Sequence, residues 1–325
     1  MLCLFVSAPA VEISRRLALG RAAAAAAAAG APAAASAKAG DPLPIPGLDG
    51  KPLFGTGGVI DAFLPSDDLA SRYAQNPADV SGVVLPSALV GVKDAAIIFH
   101  GAGGPDRETR AMEARFAEQD AAAGLARGVA TFNWLPWFTT DTQRTSFISK
   151  DVGRALGQQL AANDGLRSLH VVGTSAGSFA ASECCAGYVA ARGGRARATV
   201  RLSLADPFAA ALEASPNDGR GAQFFGRDAD FAEHLLNRDD IVPNTNTPLP
   251  FCYCLDVTKT AERKTFPPPD PTGDPFDDLL LRSLGYHNWP LGYLARHYET
   301  VLDAKGRVVL PSHAELPRGA VVRVA

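Results

Sequence analysis

Leu169-His170-Val171-Val172-Gly173-Thr174-Ser175-Ala176-Gly177 is the stretch from which the rest of the chain can be read. Leu169 to Val172 has the length and β-branched content of a strand covered on both faces. The Ala-rich segment Ala176 to Ala191 that follows reads as a helix. Between them lies G-x-S-x-G, a turn that forces its serine into a strained backbone conformation and lifts the hydroxyl above the sheet. Small neighbours are needed there to avoid clashes, and the following helix aims its first amides and positive dipole end at any negative charge that develops nearby. Ser175 is therefore the candidate nucleophile, and the Ala176 amide is a candidate oxyanion donor.

Outward from this turn, β-rich apolar runs alternate with helix-like segments. Strands are expected at Ala95 to Phe99, Val129 to Asn133, Val200 to Leu204 and Phe251 to Leu255, and helices at Glu108 to Ala122, Asp151 to Ala162 and Asp228 to Leu236. The pattern predicts an α/β fold, a mainly parallel central sheet covered by helices on both faces. Ala214 to Gln223 and the proline-rich Phe266 to Pro275 read as surface loops. No internal repeat and no second domain is visible, so residues 38–325 are expected to form a single domain.

His100-Gly101-Ala102-Gly103-Gly104 follows the strand ending at Phe99. Its glycines allow a close backbone approach, so the amide of Gly101 or Ala102 is the expected partner of Ala176 in an oxyanion hole. No G-K-[ST] follows, which argues against a phosphate loop. His100 reads as a loop-orienting residue. A serine nucleophile needs a base, and in this chain order the histidine comes last. His287 lies in Gly285-Tyr286-His287-Asn288-Trp289-Pro290, which reads as a loop, and is preferred over the alternative His297, which sits at helical spacing between Tyr293 and Tyr298. His234 is assigned to a helix, and His313 lies near the C-terminus. Asp206 follows the strand Val200 to Leu204, Asp240 lies in a loop before Ile241-Val242-Pro243, and Asp256 ends the strand Phe251 to Leu255, so residue position alone leaves the choice of acid open. Trp134, Trp137 and Phe138 are candidates for an apolar substrate pocket, with core packing as the competing role.

On these residues the chain resembles the pancreatic-lipase-like branch of the α/β-hydrolases over about Ala95 to Tyr298. The resemblance is carried by His170 to Gly177, Leu204-Ala205-Asp206-Pro207, Asp228 to Phe231, Ile241 to Asn244 and His287. It implies an α/β-hydrolase fold and an acid in the Leu-Asp-Pro setting after the strand next to the nucleophile's helix, which makes Asp206 the first choice. Asn237 to Pro243 resembles the acid motif of fungal class 3 lipases and keeps Asp240 as the second. Thr174 and Ala176 replace the His and Leu that flank the serine in the first family. The implied activity is a carboxylic ester hydrolase, an esterase or lipase working through a Ser-His-Asp triad and an acyl-enzyme. The alternatives are a thioesterase or peptidase with the same triad, or a hydrolase-fold binding protein without catalysis.

Composition sets the outer limits. The 325 residues are 47% hydrophobic and 20% charged, with a formal net charge of -3, which supports a packed core and disfavours a nucleic-acid partner. The five cysteines lack the spaced pairs with histidine of a zinc site, and Cys184, Cys185, Cys252 and Cys254 read as small buried side chains rather than disulfides. No metal or organic cofactor is expected. The partner is a small-molecule or lipid ester, with transient contact at a membrane surface. Ser14-Arg15-Arg16-Leu17, the alanine run Ala22 to Ala29 and Ala35-Ser36-Ala37 resemble a cleaved twin-arginine export signal over residues 1–37. The destination this implies is the thylakoid lumen of a plastid, with a bacterial periplasm or secretion as alternatives.

Overall fold

The computed structural model describes residues 76–101, 104–137, 142–209, 221–240, 242, 245–266 and 275–324. Residues 1–37, where an export signal is expected, Ala102 and Phe138 lie outside these, as do most of the two stretches expected to be loops. All described residues belong to one compact unit.

Among the described residues seven strands form one sheet: β1 (Asp94–Phe99), β2 (Arg127–Phe132), β3 (Ser168–Thr174), β4 (Thr199–Ala205), β5 (Phe231–Leu236), β6 (Tyr253–Asp256) and β7 (Val321–Arg323). Their order is β2-β1-β3-β4-β5-β6-β7, and every neighbouring pair is parallel. The principal helices are α1 (Arg107–Ala123), α2 (Thr142–Leu160), α3 (Gly177–Arg192) and α4 (Pro275–His297), and Gly221–Phe224 adds a single turn. None of the described helices is long and apolar enough to cross a membrane.

The strands alternate between two cores. Ala95, Ile97 and Phe99 of β1 and Leu169 and Val171 of β3 pack with Val152 and Leu156 of α2 and with Phe179 and Ala180 of α3. Ala96, Ile98 and Val172 face the other way, onto Met112 and Phe116 of α1 and Leu291 and Leu294 of α4. Both faces of β1 and β3 are thus sealed, which is why they read as continuous apolar runs. Helix α1 starts at a capping box: the Asp106 carboxylate accepts from the Thr109 amide (2.7 Å), and the Asp106 amide donates to the Thr109 hydroxyl (2.7 Å). Asn288 of α4 donates to the other Asp106 carboxylate oxygen (3.2 Å), tying the two helices on that face together.

Two expected elements are corrected. Asp228 to Leu236 is not a helix, because Phe231–Leu236 is a strand held between β4 and β6. Its helix-like polarity comes from Glu233 and His234, both buried. Glu233 accepts from Arg201 (2.6 Å) and from the Ser203 hydroxyl (2.5 Å), so its charge is compensated inside the sheet. The stretch around His287 is not a loop but part of α4. Cys184, Cys185, Cys252 and Cys254 are free thiols, all buried, and burial raises Cys184 to about 12.

Helices α2 and α3 touch backbone to backbone. A Cβ on Gly153 would stand 2.0 Å from the Ala180 carbonyl oxygen, and one on Gly157 would stand 2.2 Å from that of Cys184. Gly153→Ala is therefore expected to lower stability by about 1–3 kcal/mol, the usual penalty of overpacking, although alanine is the better helix former. Thermal unfolding of the variant against the parent chain checks this.

Candidate active site

The sheet order reverses between β1 and β3, since the chain steps from β1 to β2 on one side and returns to β3 on the other. The C-terminal ends of strands at such a switch point leave a crevice where ligands bind. Ser175 and Gly101 both sit there.

Ser175 adopts φ 51°, in the left-handed region. Sterics dictate the glycines around it. A Cβ on Gly173 would lie 2.6 Å from the Ala181 Cβ, and one on Gly177 would lie 2.3 Å from the His100 carbonyl oxygen and 2.6 Å from that of Phe99. The start of α3 therefore rests directly on the end of β1. The Ser175 amide donates to the Ala205 carbonyl (3.2 Å), and its carbonyl accepts from the Ser178 and Phe208 amides (3.1 Å each), which holds the turn on the side of β4 as well. A Cβ on Gly101 would stand 3.2 Å from the Ser175 Cβ and 3.9 Å from its Oγ, so the Gly101 backbone borders the hydroxyl. Ala176 lies at the first position before α3.

The loop after β1 is braced from behind. The His100 ring stacks on Trp134, with centroids 5.5 Å apart and planes 13° from parallel, and its Nδ1 is 2.6 Å from the Gly101 carbonyl oxygen. Trp134 donates from its ring nitrogen to the His100 carbonyl (2.9 Å) and from its amide to the His100 Nε2 (3.3 Å). A neutral ring with the proton on Nδ1 satisfies both contacts, and burial lowers the pKa of His100, consistent with that form. The loop-orienting role expected of His100 agrees with these contacts. Trp134 is fully buried in the core and does not line an open pocket. Trp137, half-buried, stacks on Phe132 (6.1 Å, 19°) and donates to the Asp79 carbonyl (3.1 Å).

His287 approaches from α4. Its Nδ1 lies 2.6 Å from Asp240 Oδ2 and 3.8 Å from Asp206 Oδ2. The hydrogen-bonded carboxylate is thus that of Asp240, the second choice of the sequence, beyond β5, and not that of Asp206 in the Leu-Asp-Pro setting beyond β4. Asp240 is fully equipped as an ionised acceptor: Oδ1 takes the Val242 amide (3.0 Å), and Oδ2 takes the Thr245 hydroxyl (2.8 Å) besides the imidazole. Burial opposes ionisation, but the His287 hydrogen bond and charge, with the Val242 and Thr245 donors, outweigh it and hold the carboxyl below its ordinary range. Asp206 is wholly buried, stands at φ 39°, and among the described residues accepts the Asn237 amide at Oδ1 (2.9 Å) and no other donor. Burial first, and then the Asp240 charge, push its carboxyl well above the ordinary range.

With Nδ1–H donated to Asp240, Nε2 is left as an acceptor. It is buried and has no hydrogen-bond partner among the described residues. Contacts of a base to its nucleophile commonly tighten only when substrate is bound. The other candidates are placed elsewhere. Asp256 accepts from Arg238 (2.8 Å) and from the Thr258 amide (3.1 Å), a structural ion pair and turn. His297, ten residues along α4 from His287 and so about 15 Å away, pairs with Glu262 (2.9 Å) and packs its ring, tilted by 31°, against Tyr293. His234 is buried on β5 with its pKa lowered by burial to about 3.

Asn237 is the functional residue that sequence reading missed. Pro290 lies inside α4 and has no N–H, so it cannot satisfy the carbonyl four residues earlier, that of Tyr286. The Asn237 side chain donates to this carbonyl (2.9 Å) while its amide holds Asp206. The proline was a visible signal; the residue that answers it, 53 positions upstream, was not.

The Asp206, Asp240 and His287 ligand atoms lie within 4.8 Å of one another. The 2.6 Å separation of Nδ1 and Asp240 Oδ2 is nevertheless that of a hydrogen bond. Two ligands each about 2 Å from one metal ion in a tetrahedral shell stand about 3 Å or more apart.

No protein-family model and no curated protein matches this chain. Solved structures that resemble it include a candidate hydrolase of the α/β superfamily from Xanthomonas campestris pv. campestris, 16% identical over 45% of this chain and 73% of that one, with a TM-score of 0.28. Another is RedJ with a polyethylene glycol molecule bound in its active site, 20% identical over 43% of this chain and 54% of RedJ, with a TM-score of 0.24. The fold itself is of the α/β-hydrolase type by its own sheet: parallel strands sealed on both faces, with a serine turn between β3 and α3 at the switch point.

The raised Asp206 carboxyl has a stability consequence. In the unfolded chain it ionises near pH 3.9, whereas in the folded chain it keeps its proton to higher pH. The folded state therefore binds more protons in that window, and stability falls as pH rises through it. Asp206→Asn, which is neutral at every pH and nearly the same shape, is expected to melt higher than the parent chain at pH 7. The difference should shrink towards zero below about pH 4, as thermal unfolding across pH would measure.

Proposed function

We propose that this protein is a serine hydrolase that cleaves carboxylic esters, with acyl lipids as the substrate class that the lipase resemblance suggests. The observation that carries this reading is the anchoring of His287 Nδ1 on the ionised Asp240, on the same end of the sheet as a serine held at φ 51° in a strand-to-helix turn. A serine hydroxyl is a poor nucleophile until a base takes its proton. Nε2, left as an acceptor by the Nδ1–H bond, supplies that base.

In the proposed reaction, Ser175 Oγ attacks the ester carbonyl carbon as its proton passes to His287 Nε2. The carbonyl oxygen becomes an oxyanion, for which the Ala176 amide at the start of α3 and the Gly101 backbone beside the hydroxyl are the donors in reach of the site. Each such donor is typically worth roughly 3 kcal/mol. Collapse of the intermediate breaks the bond to the alcohol, which leaves with the proton from Nε2. Water then attacks the acyl-enzyme, giving its proton to the same nitrogen, and the carboxylic acid departs as Ser175 is restored. Throughout, Asp240 stays ionised and stabilises the imidazolium.

The full chain, incubated with a fluorophosphonate probe and short p-nitrophenyl esters, should label and turn over. Ser175→Ala and His287→Ala should each reduce kcat by roughly 10⁴-fold or more, and Ser175→Ala should also abolish labelling. A wild-type chain shown to be folded that neither labels nor hydrolyses esters would rule the reading out.

A further inference from the structure

Two carboxyl groups converge on the imidazole, where one suffices to orient it. The Oδ2 atoms of Asp240 and Asp206 stand 2.6 and 3.8 Å from His287 Nδ1, and both side chains are shut off from solvent. They are not equivalent. Asp240 receives three donors, whereas Asp206 receives one amide, and its Oδ2 has no hydrogen-bond donor among the described residues. Asp206 also occupies a left-handed backbone conformation at φ 39°, shared among the described non-glycine residues only with Ser175. A strained aspartate with a buried oxygen aimed at a neighbouring site is more than a turn cap requires.

Two ionised carboxylates this close in a dry site repel by about 4 kcal/mol at 4 Å and an effective dielectric of ~20. Such pairs retain one proton between them and titrate as a unit. We propose that Asp206 and Asp240 form one paired-acid unit behind His287, sharing a single proton, in which either carboxylate can hold the imidazole Nδ1. Asp206 is thereby a positioning residue. This inference rests on the serine-hydrolase reading for its catalytic meaning, though not for its geometry.

At rest the proton belongs to Asp206, whose burial and whose neighbour's charge disfavour the anion. Asp240, with its donors, carries the charge. Removing the Asp240 charge removes the repulsion. Asp206 then releases its proton to solvent, and its Oδ2 accepts the Nδ1–H by closing the 3.8 Å gap.

The test compares the full wild-type chain with Asp206→Asn, Asp240→Asn and the double variant, all checked for folding by thermal melts. Three quantities are followed: kcat on a p-nitrophenyl ester, the acid limb of the kcat/KM profile, and the low-field proton NMR signal of the His287 Nδ1–H. Asp206→Asn alone should lower kcat by about 3- to 10-fold, since an amide replaces the carboxyl beside Asp240 and His287, with its acid limb unmoved. Asp240→Asn should lose about 10- to 100-fold and keep the Nδ1–H signal. The double variant should lose about 10⁴-fold, the cost of a triad without its acid, and lose the signal. Asp206→Asn is thus mild in the parent and severe in the Asp240→Asn background, a coupling that a purely structural Asp206 would not produce. An Asp240→Asn variant as inactive as the double, and equally lacking the signal, overturns the proposal. So does a fall of about one pH unit or more in the Asp206→Asn acid limb, since that marks Asp206 as ionised at rest. This second readout stands even where Asp240→Asn fails to fold. A folded wild type without activity removes the hydrolase reading instead, and the NMR signal across the four chains still decides the pairing.

Discussion

The structure depends on one close approach: the first residue of α3 rests on the last carbonyl of β1 and the one that follows it, with room for a hydrogen and nothing larger. Any Cβ at Gly177 would lie inside the van der Waals contact of two backbone oxygens. Because α3 starts there, the chain leaving β3 has to turn within Thr174 to Ala176, and that turn places Ser175 in the left-handed region. The same contact explains why the Gly101 backbone borders the Ser175 hydroxyl. It lies at the place where the sheet order reverses, so the crevice at the switch point and the strained serine have one common cause.

A second set of constraints arrives from the other side of the serine. The amide of Ser175 is held by Ala205, and its carbonyl by Phe208, so the end of β4 encloses the turn and places Asp206 in the site. Asp206 is then joined to β5 twice, since its amide donates to the Leu235 carbonyl and its carboxyl accepts the Asn237 amide. Asn237 reaches on to the carbonyl that Pro290 leaves unpaired in α4. A helix defect thus becomes an anchor point one residue from His287. The anchor matters because α4 carries the imidazole on a rigid element, where its approach to Asp240 is set by helix packing rather than by the sampling of a loop.

How far the sequence foretold this follows the same physics. Strands β1 and β3 were legible because apolar runs sealed on both faces leave little ambiguity, and the serine turn was legible because its glycines are sterically obligatory. Strand β5 was not. Asp228 to Leu236 looks like a helix when Glu233 and His234 are taken as surface residues, and only the register against Arg201 and Ser203 shows that Glu233 is a compensated buried charge. Chain order leaves four histidines as candidate bases, and the loop reading that singles out His287 rests on a stretch with Gly285, Asn288 and Pro290 that α4 in fact accommodates, as it does His297. The acid was undecidable in principle. Asp206 and Asp240 both follow strands that end beside the site, and a difference of about an ångström in reach, which no residue pattern encodes, separates the one that bonds to the imidazole from the one that does not.

That small difference is sustained by the donors each carboxylate finds rather than by the carboxylates themselves. Asp240 gains an amide and a hydroxyl from the segment that follows it, local contacts within five residues, and these make a buried negative charge tolerable next to the imidazole. Asp206 emerges from β4 into a tight left-handed turn that gives it one amide and no more. In a dry pocket a carboxyl with one donor beside a carboxylate with three will keep its proton, and the charge settles where the hydrogen bonds are. Local turn chemistry after β5, not the strand order of the fold, therefore selects which acid faces His287 as an anion.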